Sequence, residues 1–145
     1  LDNKMTRFDW PVRIYIEDTD AGGIVYYANY LRYMERARTE WLRAMAIGQE
    51  VLRQQGILFV VTAVEAKYRK PARLDDELNV SVQVDNVGKA RLHISHQVSR
   101  INQSGEYELL VEAGVVVAAM NIEGRPVALP PIITTRLQDH QSSSR

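Results

Sequence analysis

The chain has 145 residues, with 18 Lys plus Arg, 18 Asp plus Glu and no cysteine. At roughly 150 residues per domain the length fits one unit, and zero net charge argues against a chain-wide nucleic-acid or anionic-membrane footprint. Without cysteine there is no disulfide, thiolate metal site or Cys nucleophile.

Trp10–Ile16 alternates Val12, Ile14 and Ile16 with Arg13 and Tyr15, a strand pattern. The stretch EDTDAGGIVYYANY then reads as a loop entering a helix. That helix is expected over 28–46, with Leu31, Met34, Arg38, Trp41, Leu42 and Met45 as its buried stripe. Arg36 with Glu40, and Glu40 with Arg43, are spaced to pair across a turn. Gly48 stops the helix, and 49–55 reads as a short second one before Gly56.

After Gly56 the period changes to two. Ile57–Arg69 opens as a continuous apolar run, the pattern of a strand buried on both faces. Pro71 breaks it, and PARLDD is a turn. Leu78, Val80, Val82 and Val84 alternate with polar residues, and so do Leu92, Ile94, His96 and Val98. Asn102–Gly105 is a hairpin signal before a long strand, Tyr107–Met120. A turn at 121–125 and Pro126–Pro131 lead into a short terminal segment.

A strand, a long helix and about four hairpin-linked strands read as α+β. One helix covers one sheet face, so a second subunit is expected over the other. The expected layout is a single domain over 8–138, with disordered ends at 1–7 and 139–145. The apolar runs at 57–64 and 113–120 are short against the about 20 residues of a membrane helix. The first ten residues hold no apolar signal-peptide stretch, so the chain reads as cytoplasmic.

Motif chemistry narrows the field. His93 and His96 sit three apart on a predicted strand, so they point to opposite faces and cannot share a metal. The sequence has no HExxH, no GxSxG elbow and no GxxxxGKS loop. No metal and no cofactor is expected. The strongest local feature is Glu17–Val25, with three carboxylates in four residues between a strand end and a helix start. Helix N-terminal amides relieve such repulsion, and they also polarise a carbonyl placed beside a carboxylate. Gly22 and Gly23 allow close backbone approach. An acidic turn capped by Asp20 or Asn29 is the plainer alternative.

The run from Arg13 to Glu40, RIYIEDTDAGGIVYYANYLRYMERARTE, resembles the 4-hydroxybenzoyl-CoA thioesterase-like hotdog family. It is most similar to the YbgC branch, the Tol–Pal-associated acyl-CoA thioesterases. FVV at 59–61, PARLDD at 71–76 and RPVALP at 125–130 agree with it. The resemblance implies a hotdog fold, a long central helix wrapped by a curved antiparallel sheet of about five strands. It implies dimers or dimer-built tetramers with interface active sites, and hydrolysis of acyl-CoA to a free acid and CoA.

The family's catalytic carboxylate falls on Asp20, as nucleophile or general base, and its carbonyl-polarising amide falls near Tyr27. Relatives often carry His where Tyr27 stands, so a mechanism needing that imidazole is lost here. Asp18 is expected to hold the loop as an acceptor, and Glu35 and Arg36 to be structural. Acyl-pocket candidates are Val25, Tyr26, Tyr30, Phe59, Val60 and Val61; candidates for the CoA phosphates are Arg69, Lys70, Lys89 and Arg91. Val60, Val61, Lys89 and Arg91 fall where family members build pocket and CoA edge, sometimes from the neighbouring subunit.

A hotdog dehydratase would need a histidine in the loop–helix region, and none lies there. The alternative is a non-catalytic module binding acyl-CoA or acyl carrier protein near the envelope, peripheral at the inner face of the membrane.

Overall fold

Long alternating strands that follow one another by short turns build the bulk of the molecule. The computed structural model describes residues 7–143. The strands are β1 (Arg7–Arg13), β2 (Leu58–Tyr68), β3 (Glu77–Val87), β4 (Arg91–Ile101) and β5 (Tyr107–Met120). They form one antiparallel sheet in the order β1-β3-β4-β5-β2. The helices are α1 (Asn29–Ala44), α2 (Gln49–Gln54) and α3 (Pro131–Ser143). No helix among the described residues is long and apolar enough to cross a membrane.

Residues 29–44 contain neither Gly nor Pro and are rich in Arg, Ala, Leu, Met and Glu, good helix formers. The helix ends where Ala46 takes a left-handed φ of 61°. Its buried face is Tyr30, Tyr33, Met34, Ala37, Trp41 and Leu42. The expected stripe is buried at Met34, Trp41, Leu42 and Met45, but Leu31 is 40% exposed and Tyr30 and Tyr33 take its place. Glu40 pairs with Arg43 at 2.7 Å as expected. Arg36 does not reach Glu40 and instead lies over the Tyr33 ring, 5.9 Å from its centroid.

The helix packs on the face formed by Leu78, Val80 and Val82 of β3, Ile94 and Val98 of β4, and Val111, Val115 and Val117 of β5. Register shifts between Val61 and Ala63, Val84 and Asn86, and Val98 and Ser99 interrupt the ladders. Such bulges bend strands and increase twist, which curves the sheet around α1.

Three expectations change. The apolar strand β2, read as buried on both faces, is the sheet's outer strand and is largely exposed. Of its hydrophobic residues, Phe59 and Ala66 pack against this chain's core, while Val60, Val61 and Val64 stay exposed. The terminal segment, read as short with a loose tail, is the 13-residue helix α3, whose Ile133 and Leu137 join the core. Pro131 sits at its first position, where a missing N–H costs nothing. Arg7, assigned to a loose end, belongs to β1. Residues 1–6 and 144–145 of the expected termini lie outside the described residues.

Candidate active site

The carboxylate loop runs from the end of β1 to the start of α1. Its first part is the single 3-10 turn Ile16–Asp18. Asp20 N–H donates to Ile24 O at 2.9 Å, and Gly23 N–H to Asp20 O at 3.0 Å, closing a tight turn. Gly23 has φ of 80°, a region that glycine enters without steric cost. At Gly22 an added Cβ would lie 3.3 Å from Asp20 Oδ1. The Gly22 amide donates to that oxygen at 2.8 Å, which fixes one side of the carboxylate. Asp20 itself is exposed.

Asp18 holds this loop as the expected acceptor. Its Oδ2 takes the Tyr15 amide at 2.8 Å. Its carbonyl takes the Tyr26 amide at 3.1 Å and Asn29 Nδ2 at 2.9 Å. Neither Asp20 nor Asn29 caps the helix: the N-cap is Ala28, with no side-chain bond. Asn29 instead ties the helix back to the loop. Beneath the loop the Tyr33 hydroxyl is buried beside the Asp18 carboxylate, without a well-formed hydrogen bond among the described residues. Burial, and the neighbouring Asp18 carboxylate, push that phenol well above its usual range.

The amides of Asn29, Tyr30 and Leu31 donate to the carbonyls of Tyr26, Tyr27 and Ala28. The Tyr27 amide donates to no protein acceptor among the described residues. The Ala28 amide at the N-cap is likewise without a partner; free amides just ahead of the positive end of a helix are donors for a developing oxyanion.

The segment after β2 clamps this arrangement from the sheet side. Val25 N–H donates to Ala72 O at 2.9 Å, and Ala72 N–H to the Tyr30 hydroxyl at 3.0 Å. Arg100 fixes the segment in turn, with Asp76 at 2.7 Å and Glu108 at 2.9 Å. Tyr27 and Tyr30 both pack against Tyr68, with ring centroids 6.0 and 5.7 Å apart. A cavity of about 280 Å³ lies between Ile24, Tyr27, Tyr30, Tyr68, Arg69 and Pro71.

The expected site residues therefore fall into two groups. Asp20, Val25, Tyr26, Tyr27, Tyr30, Arg69 and Lys70 gather around the N-terminus of α1. Val25 and Tyr30 are buried there, while Tyr26 and Tyr27 are exposed. Arg69 and Lys70 are engaged with Glu112 and Glu108, each at 2.8 Å. Phe59, Val60, Val61, Lys89 and Arg91 lie toward the other end of the sheet, where Arg91 and Val60 both pair with Ala118. One chain does not bring the two groups together. Tyr68, Ala72 and Asn29 were missed, because their roles depend on contacts that no local pattern announces. No cluster of potential metal ligands exists among the described residues.

A family model described as the thioesterase-like superfamily matches residues 14–137. The chain belongs to this thioesterase-like superfamily. The acyl-CoA thioester hydrolase YbgC of Escherichia coli is 39% identical over 134 residues, covering 92% of this chain and 97% of that protein. The acyl-CoA thioesterase YbgC of Haemophilus influenzae is 41% identical over 125 residues, covering 85% and 88%. A mutant 4-hydroxybenzoyl-CoA thioesterase, solved in complex with 4-hydroxybenzoyl-CoA, superposes with a TM-score of 0.85 at 20% identity, over 91% of this chain and 99% of that one. The fold is the hotdog of this thioesterase family, as the run at 13–40 implied.

Proposed function

We propose that this member of the thioesterase-like superfamily hydrolyses acyl-CoA thioesters, with Asp20 as nucleophile or general base and the Tyr27 amide as oxyanion donor. The carrying observation is the unpartnered Tyr27 amide at the start of α1, on the loop that projects Asp20. The thioester carbonyl lies with its oxygen toward that amide and its carbon toward Asp20. Either the carboxylate attacks directly, releasing CoA and leaving an acyl-enzyme anhydride that water cleaves, or it deprotonates a water that attacks. The cavity beside Tyr27, Tyr30 and Tyr68 takes the start of the acyl group.

The working form is an oligomer built from dimers. The outer edge of β2 is long, apolar and unpaired among the described residues. Two copies related by a two-fold axis pair such edges antiparallel. That sets the Leu58 end of one β2 beside the Tyr68 end of the other. The second copy's Val60, Lys89 and Arg91 then complete the pocket mouth and the CoA edge around Asp20, Arg69 and Lys70, while Val61 lines the groove beside Met34 of its own α1.

The test is thiol release from a panel of aliphatic and aromatic acyl-CoAs. Asp20→Asn should lower turnover at least about 100-fold without changing the fold. Tyr27→Pro, which deletes the amide, should cost about 100- to 1,000-fold, and Tyr27→Phe, which keeps it, far less. Full activity in Asp20→Asn would overturn the assignment. Binding of acyl-CoA or acyl carrier protein by a wild type that hydrolyses nothing would leave the non-catalytic module.

A further inference from the structure

One row of α1, spaced four residues apart, runs Tyr30, Met34, Arg38. It lines three hollows in succession along the seam with β2. Tyr30 borders the cavity beside Tyr27. Met34 borders an open groove of about 260 Å³, apolar along Leu31, Val61, Val64 and Val115 and charged at its rim by Arg32 and Glu35. Arg38 borders that groove and also a small hollow of about 40 Å³ among Trp41, Phe59, Ile94, Val117 and Ile133. Of these residues only Arg38 belongs to both walls, so it stands between them.

Its guanidinium is held in place. Ser81 O lies 2.7 Å from Nδ1 of the fully buried His96, and a carbonyl only accepts. The ring proton is therefore on Nδ1, and Nε2 accepts from Arg38 at 2.9 Å. Arg38 forms no ion pair among the described residues. Burial lowers its pKa, opposed only by Glu35 one turn away. It remains a cation, paired with a neutral ring.

We infer that Arg38, positioned by His96, sets the longest acyl chain the site accepts, with the chain lying in the α1–β2 seam and its methyl end stopping at the guanidinium. The inference rests on the thioesterase reading. A longer chain would have to displace a fixed side chain or cover a cation whose nearest opposite charge, Glu35, forms no ion pair with it, and stripping water from such a charge is strongly unfavourable. By the helical rise, Arg38 lies about 15 Å along the axis from Ala28, a span that suits an extended alkyl chain rather than an acetyl group.

The experiment is thiol release from a series of straight-chain acyl-CoAs by the full chain and by Arg38→Ala, Arg38→Met and His96→Leu. Wild-type kcat/KM should fall roughly 10- to 200-fold at the first excluded methylene. Arg38→Ala joins the groove to the small hollow and should move that fall to longer chains. Arg38→Met keeps an apolar stem if the alanine variant fails to fold, and should move it less. His96→Leu releases Arg38, so it should lower KM for the excluded chains while kcat on short chains stays. His96→Gln, which can still accept from Arg38, should restore the limit.

A limit that stays in place in both Arg38 variants overturns the inference and leaves the thioesterase reading intact. So does a variant that falls apart into single chains with the limit unchanged, which makes Arg38 an interface residue. If the wild type hydrolyses no acyl-CoA, the thioesterase reading fails separately. Calorimetric binding of the same series to Asp20→Asn then decides: a length limit that Arg38→Ala shifts supports the inference, and its absence overturns it.

Discussion

Strand β3 has a neighbour on each edge, β1 and β4, and its Leu78, Val80 and Val82 are completely buried. Strand β2 has β5 on one edge only, and its Val60, Val61 and Val64 are about as exposed as surface residues. The two strands have equal length, 11 residues, and β2 has the more continuous apolar run. Under the proposed pairing of β2 edges, that apolar pattern records burial in an assembly rather than in one chain. The half of the sheet around β3 is covered within this chain; the β2 half is left exposed.

The largest effects should come from placing the same charge in each half. Val80→Asp buries a carboxylate with no partner and should cost more than about 4 kcal/mol, enough to unfold many domains of this size. Val64→Asp should leave the folded chain within about 1 kcal/mol of its starting stability, since the site is already wet. It should instead produce single chains by light scattering; Val64 also lines the α1–β2 groove, so the number of chains is the readout and hydrolysis is not. A Val64→Asp protein that remains oligomeric would break the comparison.

Next in size is a pH effect confined to the covered half. Burial lowers the His96 pKa from 6.5 to about 4, helped by the Arg38 charge and opposed by the bond to Ser81. Above pH 6.5 the ring is neutral folded and unfolded, so it contributes no pH dependence. As pH falls from 6.5 toward 4, the unfolded chain binds the proton first and folding weakens. The loss reaches about 3 kcal/mol by pH 4 and then levels off. His96→Gln has no such proton to bind. Its urea-denaturation stability should lie closer to wild type at pH 4 than at pH 7, relative to any fixed cost of the substitution. Parallel pH curves for the two proteins would refute this account of His96.

The sequence carried the covered half well. The long helix, the β5 boundaries and the opposite faces of His93 and His96 all follow from spacing, and the structure agrees: His96 is buried and His93 exposed. The stripe of α1 held at Met34, Trp41, Leu42 and Met45 and failed at its start, where Tyr30 and Tyr33 bury their rings and Leu31 does not. The D-T-D-A-G-G loop was legible because its chemistry is local. Its clamps were not: Tyr30 meets Ala72 across 42 residues, and Arg38 meets His96 across 58. No periodicity encodes such pairs. The exposure of β2 was illegible for another reason, since a sequence does not state which copy covers a strand.

A smaller effect should appear at the join between loop and helix. Asn29→Ala removes the bond from Nδ2 to Asp18 O and should cost about 1 kcal/mol of stability. Turnover should fall more than that figure suggests, because the same bond fixes the loop carrying Asp20. Equal losses in stability and in activation free energy would mean that the loop is held adequately by the Tyr15 and Tyr26 amides alone.

The smallest change in stability is expected at Arg69, and there the two halves of the sheet can be compared through substrate. Arg69 and Glu112 form an exposed pair at 2.8 Å, and such pairs contribute little in water. The guanidinium holds the Glu112 carboxyl below its usual range. That contribution is present above the ordinary carboxylate pKa and disappears as pH falls through the lowered one. Arg69→Gln should therefore leave thermal unfolding nearly unchanged at pH 7, with any difference vanishing in acid. If Arg69 also meets a CoA phosphate, KM should rise several-fold at low salt, and the rise should shrink as salt screens both charges. Lys89 and Arg91, at the opposite end of the sheet, form no ion pair among the described residues and have no carboxylate to exchange for a phosphate. Arg91→Gln should raise KM more than Arg69→Gln does, provided a second copy brings Arg91 to the site. In the monomeric Val64→Asp background, calorimetric CoA affinity should no longer respond to Arg91→Gln, whereas Arg69→Gln should still weaken it. A response to Arg91 that persists in single chains would mean that its cation reaches CoA without a second copy.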